Sequence, residues 1–297
     1  MDSRRIGHCQ STGIDGQRWL EKTPWFLCGE NINRTCVILS ILPLFAFTSV
    51  SCCHSRRFQE IGRFAAQEAG QGIAVDAQYV YVVGTRQIGK YDKQTHERTA
   101  QWQEKEDGPV IHLDSGVIVD GKLYCAHSNY PILPMTSSVE IWDAASLEHI
   151  SRHSFGIRHG SCTWVDCHDG HWWAAFAQYD KWKHATEKGT EWTTLVKFDE
   201  QWNELGTWVF PKEVIERMIP MSNSGGSWGP DDLLYCTGHD RSEVYAIKIP
   251  DRGSVLELVE TVPLPILGQG IAWDRSRSGF IYGIRKRDSQ VVVSREN

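Results

Sequence analysis

No block of basic residues follows residue 60 in this chain, and its formal net charge is −6 over 297 residues. That is the wrong electrostatic footprint for nucleic acid, which is held by Lys/Arg-rich stripes, so no nucleic-acid partner is expected. No CxxC or Cys/His zinc spacing occurs, which removes metal-stapled folds. A Gly-rich phosphate loop, a Ser-nucleophile elbow and an HExxH pair are also missing. Three familiar chemistries therefore have no motif to stand on. Long apolar runs are scarce as well. Residues 36–51 form an uncharged stretch of 16 residues, short of the roughly 20 that a membrane-crossing helix needs.

That stretch follows Arg34 and precedes Cys52-Cys53. A basic flank, a short apolar core and small residues near a cut site describe a secretory signal. Thr48-Ser49-Val50-Ser51-Cys52 also resembles a bacterial lipobox, with Cys52 as the acylated residue. The expected location is extracytoplasmic: a periplasmic or outer-membrane lipoprotein, or a secreted protein. Membrane contact is expected through the lipid anchor only. Residues 1–35 read as an N-terminal extension without a role in the fold, and 36–57 as signal segment and linker.

What the sequence does have is a repeat. Five strand openings align: Gln71-Gly72-Ile73-Ala74-Val75-Asp76, then the hexamers that begin at Ser115, Ser161 and Gly225, then Gln269-Gly270-Ile271-Ala272-Trp273-Asp274. Their starts are spaced by 44, 46, 64 and 44 residues. Each is followed by a turn and a second apolar strand, such as Tyr79–Val83 or Phe280–Ile284. A repeat of this length with several short strands is the signature of a β-propeller. The fold class is therefore all-β: one closed propeller over 58–297, with five four-stranded blades. Six blades are the alternative, since the third repeat holds about 20 extra residues, of which Pro211–Ser224 reads as a short helix plus loop. The last repeat ends at its third strand. Phe58–Phe64 resembles a fourth strand and is expected to complete the last blade, because closure removes exposed edges.

Smaller features fit the same unit. Asp120-Gly121 between apolar runs is a hairpin signal. Asp92, Asp143 and Asp199 follow an aromatic at the end of third strands and read as turn formers. The chain has nine cysteines. Cys125 and Cys236 occupy the same place in non-adjacent repeats, too far apart to bridge, and read as buried apolar residues.

In a propeller whose blade strands run a to d outward, d–a and b–c loops open on one face. Every long insertion here is of that kind: 127–137, 178–192 and 211–224. Loops grow where function is. Strand order places His112, His127, His159 and His239 on that face, and these are the expected catalytic residues. Arg86 and Arg285 are expected to hold an acidic group of the ligand through paired hydrogen bonds. Gln71, Asn129, Tyr130, Asn223, Asp240 and Gln269 complete the expected binding set. Three or four neutral imidazoles meeting there would bind one divalent transition metal; two would leave metal-free acid–base work. His/Arg chemistry suits proton abstraction beside a carboxylate. A glycoside hydrolase would need opposed carboxylates, for which Asp114 and Asp240 are the candidates.

The Gln-Gly-Ile-Ala-Val/Trp-Asp openings, with Tyr-bearing second strands, resemble secreted bacterial propellers of the lactonase, gluconolactonase and cycloisomerase-like kind. The resemblance spans 58–297. It implies an isomerase, lyase or lactonase acting on a lactone or a carboxylated, carbohydrate-derived small molecule. The calcium-binding lactonases of this class use a Glu, Asn and Asp set. Asn223 and Asp240 match two of these, and no Glu matches the third. The alternative function is a non-catalytic module that holds a glycan or protein.

Overall fold

The structure, a computed structural model, describes residues 55–297. The lipobox expectation at Cys52 lies outside the described residues, as do the N-terminal extension and most of the signal segment. Twenty strands build five four-stranded antiparallel sheets. Blade 1 holds β2 (Gly72–Val75), β3 (Tyr79–Gly84), β4 (Gln87–Asp92) and β5 (Arg98–Gln103). Blade 2 holds β6 (His112–Val119), β7 (Lys122–Ser128), β8 (Ser137–Asp143) and β9 (His149–Gly156). Blade 3 is β10 (Ser161–His168), β11 (His171–Ala177), β12 (Thr194–Phe198) and β13 (Glu204–Val209). Blade 4 is β14 (Gly225–Trp228), β15 (Leu234–Thr237), β16 (Glu243–Lys248) and β17 (Glu257–Pro263).

Blade 5 takes three strands from the C-terminal end, β18 (Ile271–Trp273), β19 (Phe280–Arg285) and β20 (Gln290–Glu296). Its fourth is β1 (Phe58–Ala65), which pairs antiparallel with β20 from Phe58↔Glu296 to Ala65↔Gln290. The ring is thus closed by the N-terminal strand, and five blades use all the described strands. The insertion in the third repeat forms short helical turns at 180–192 and a helix, α2 (Lys212–Met218), preceded in chain order by α1 (Lys183–Thr186). No sixth blade hides there.

Apolar alternation makes each strand two-faced, and neighbouring blades bury those faces against one another. Trp164, Trp173 and Leu195 of blade 3 pack on Trp228, Leu234 and Tyr245 of blade 4, with Val214 and Met218 of α2 covering the cluster. Similar clusters join the other four pairs of adjacent blades. The innermost strands meet closely at the loop-bearing face. A Cβ on Gly270 would lie 2.6 Å from the Gly72 Cα and 2.8 Å from the Ser115 Cβ. Only glycine lets a ring of five blades close so tightly.

The turn assignments divide. Asp120-Gly121 makes the β6–β7 hairpin, with φ of 47° and 71° as a type I′ turn requires. Oδ1 of Asp92 accepts from the Gln94 and Thr95 amides, and Asp143 and Asp199 cap their own turns likewise. In blade 3 the aligned Asp166 is no turn residue. β10 runs on to His168 and turns at Asp169-Gly170, which places Asp166 inside the strand. There its carboxylate accepts from the Trp228 amide at 2.9 Å and from Arg275 at 2.6 Å, tying blades 3, 4 and 5 together. Cys125 and Cys236 are fully buried thiols without a disulfide.

Candidate functional site

The d–a and b–c loops share one face, as strand order requires, and they carry the 129–136, 178–193 and 210–224 insertions. Within that face His112 and His127 are neighbours on the β6–β7 hairpin, while His159 and His239 are held by groups of their own in blades 3 and 4. His127 points inward from the end of β7 and is only 6% exposed. Its Nε2 accepts the Ile111 amide at 3.0 Å, which leaves the proton on Nδ1, 2.8 Å from Ser138 Oγ. Ser138 donates to Glu140 Oε1, and Glu140 Oε2 meets His149 Nε2, both at 2.8 Å. His127 is therefore a structural pin with both nitrogens committed. His159 stacks on Phe176 at 4.5 Å and lies 4.0 Å from Glu204, in an outer groove of blade 3. His239 bonds its neighbour Asp240 at 2.6 Å in a turn of blade 4. Among the described residues no group of three or more His, Cys, Asp or Glu is placed to hold a metal ion. The expected four-histidine metal set does not form.

Most of the expected binding residues are likewise spoken for. Arg86 clips the Lys105 and Glu106 carbonyls. Arg285 pairs with Asp288 on its own turn at 2.9 Å. Asn129 braces its loop through Pro134 and Thr136. Asn223 is buried with both amide atoms satisfied, accepting from Trp164 Nε1 and donating to Gly225 and Thr237. Asp240 is engaged by the imidazole of its neighbour His239. Gln71 donates to Thr85 at 3.1 Å. Gln269 is 2% exposed, and its backbone carbonyl accepts from Thr237 Oγ1.

His112 and Tyr130 remain, and the structure adds Asp114 to them. The β6–β7 register runs His112↔Ser128, Leu113↔His127 and then Gly116↔Cys125. Asp114 and Ser115 together oppose the single residue Ala126, a β-bulge, which re-aims a side chain out of the ladder. The Asp114 side chain is buried, only 7% exposed. His112 Nε2 lies 3.6 Å from its Oδ2, beyond hydrogen-bond reach. A carboxyl so far removed from water is costly to ionise.

Burial sets the protonation here. It pushes the Asp114 carboxyl well above the usual carboxylate range, with Lys286 pulling the other way. It pushes His112 down to about 4, helped by Lys286 and then His127. Both shifts favour the uncharged form: the carboxyl holds its proton more tightly and the imidazole takes one up less readily. Lys286 comes from the b–c loop of blade 5, is exposed, and makes no ion pair among the described residues. Around the pair stands an aromatic group: Tyr130 packs on His112 with centroids 4.9 Å apart, and on Tyr179 at 5.4 Å. Beyond Tyr179 a cavity of about 450 Å³ is lined by Leu133, Met135, Ile157, Tyr179, Trp182 and Lys188.

These shifts give the fold a defined response to acid. His127, like His112, is pushed down to about 4 by burial. Below the ordinary imidazole value of about 6.5 the unfolded chain takes up both protons while the native state does not, so stability falls from pH 6.5 toward 4. Asp114 acts oppositely, because the native state keeps a proton that the unfolded chain has released. Two imidazoles against one carboxyl leave a net fall. Urea unfolding at pH 5 and pH 7 should show the lower midpoint at pH 5; an equal or higher midpoint would contradict this assignment.

Strand order alone puts Asp114, Tyr179 and Lys286 on the loop-bearing face, but the expected catalytic and binding set left them out, Asp114 entering only as a candidate carboxylate. The visible signal was the polar d–a segment 111–115; the bulge that turns Asp114 inward depends on register, which no local pattern shows.

No family model matches the chain, and no curated protein matches it in sequence. Among solved structures it is similar to the hydrazine synthase of Kuenenia stuttgartiensis, at 13% identity over 75% of this chain and 70% of that one, with a TM-score of 0.46. It is similar to the RRP9 WD40 repeats at 13% identity, covering 76% and 79% of the two chains, TM-score 0.45. It is also similar to the PQQ-bound aldose sugar dehydrogenase of Streptomyces coelicolor, at 12% identity over 78% and 79%, TM-score 0.46. At such identities a likeness concerns the path of the backbone and not the chemistry.

Proposed function

We propose that this propeller is an extracytoplasmic enzyme that moves a proton beside the carboxylate or lactone carbonyl of a small, carbohydrate-derived molecule. One observation carries the reading: a buried carboxyl on a β-bulge stands 3.6 Å from an imidazole on the loop-bearing face. In this reading His112 removes the proton from the carbon next to the carbonyl. Asp114 gives its proton to the oxygen on which negative charge develops. His112 leaves the step as imidazolium and Asp114 as carboxylate, and proton return resets both.

Lys286 supplies the charge that recognises the substrate. Its charge also helps to hold His112 below its ordinary value. A substrate carboxylate paired with Lys286 offsets that charge and raises the basicity of His112 at the moment it is needed. No metal is required by this chemistry.

The test is a screen of the purified propeller against lactones and carboxylated sugars, with and without chelator, run beside a Lys286→Met variant. The expected result is chelator-insensitive turnover in which Lys286→Met raises KM about 10-fold and leaves the fold unchanged, as loss of one charge-assisted contact of about 1.5 kcal/mol implies. Turnover that Lys286→Met does not affect would remove Lys286 from substrate recognition. The location has its own check. Mass spectrometry of the mature protein should find an acylated Cys52 at the N-terminus, as the uncharged stretch and lipobox-like residues before it suggest; an intact Met1 would refute cleavage.

A further inference from the structure

Tyr130, Tyr179 and Trp182 meet as three walls. Tyr130 and Tyr179 have centroids 5.4 Å apart, and Trp182 stands 5.3 Å from each of them, near perpendicular to Tyr179 at 88°. The Lys181 ammonium sits among them, 4.1 Å from the Trp182 ring, 4.5 Å from Tyr130 and 5.7 Å from Tyr179. All three distances fall within the roughly 6 Å over which a ring face attracts a cation. The Tyr130 hydroxyl also accepts from Lys181 Nζ at 2.6 Å.

Two of the walls are fixed independently of Lys181. Tyr179 is 8% exposed and follows β11 closely. Tyr130 rests on the His112 ring, in a loop braced by Asn129. Lys181 itself is exposed. A cation–π contact at an exposed site is worth only about 0.5–1 kcal/mol, and a lysine chain gives up about 2 kcal/mol of rotamer freedom when held. The arrangement is therefore better suited to an ammonium that arrives without a long flexible stem. Alkylated ammonium groups answer that description, because they are weakly hydrated and offer methyl surface to the rings.

We infer that Tyr130, Tyr179 and Trp182 form a binding cage for a quaternary ammonium group, with the Lys181 ammonium as its resident occupant. A ligand must displace Lys181, which a change of side-chain rotamer allows. The inference does not depend on Asp114 and His112 being catalytic.

The experiment titrates the purified protein with tetramethylammonium chloride, against sodium chloride at equal ionic strength, following the Trp182 indole resonance by NMR and the heat by calorimetry. The resonance is assigned from a Trp182→Leu variant, whose thermal transition is recorded to show that it folds. Lys181→Ala is expected to bind about 10-fold more tightly than the parent chain, since the resident cation is gone, and Lys181→Ala/Trp182→Leu is expected to lose that gain. Binding to Lys181→Ala that is absent, no tighter than the parent's, or indifferent to Trp182→Leu would overturn the cage.

Discussion

Replacing Asp114 by Asn is expected to cut turnover by about 10²–10⁴-fold, the contribution of one positioned general acid, while making the propeller more stable at pH 8. The two effects have one origin. Asp114 is buried, and burial raises its carboxyl well above the usual range. A carboxyl so raised destabilises the native state as pH climbs above its ordinary value near 4, because the unfolded chain sheds the proton freely and the folded one does not. Asn keeps the shape and never ionises. The stability gain should therefore vanish near pH 4 and grow toward pH 8, as thermal melts across that range would show. A variant that loses activity and stability together would make Asp114 a structural residue. A gain in stability with full turnover would leave the bulge unexplained by acid catalysis.

Replacing His127 by Ala is expected to destabilise the propeller by about 4 kcal/mol, from lost packing and an orphaned amide. For a domain of this size that lowers the melting temperature by about 8–16 °C. The buried ring holds the Ile111 amide on one side and Ser138 on the other. Its removal strands an N–H in the segment that leads into His112 and Asp114, and it unseats the donor that serves the fully buried Glu140. Ser138→Ala should cost less, and the double variant less than the sum, since both break the same chain. A histidine in an exposed turn would show none of this. A melting temperature within a degree or two of the parent's would return His127 to the list of free site residues.

These two residues also show how far the sequence could be read. The spacing of the Gln-Gly-Ile-Ala openings and the missing last strand were enough to place β1 beside β20, because ring closure is a global demand that every repeat repeats. Asp120-Gly121 was legible because type I′ turns select that pair. Asp166 was not, since its hexamer matches the others while β10 runs on to His168 before turning. His127 stands at the right end of the right strand for a site residue, but the end of β7 points it at Ser138. Arg86 and Arg285 were expected to meet a ligand; nearby carbonyls and Asp288 reach them first. Asp114 was legible only as a candidate carboxylate; its pairing with His112 follows from the register of β6 on β7, which leaves two residues facing one.

The most direct test is the titration of a single group. With ¹³C-labelled aspartate and Asp114→Asn as the assignment control, the Asp114 carboxyl should remain protonated in the folded protein at pH 7. It should also shift when a carboxylated ligand reaches Lys286. A carboxyl that ionises near the ordinary value of about 4, and is blind to such ligands, would contradict the acid–base pair with His112.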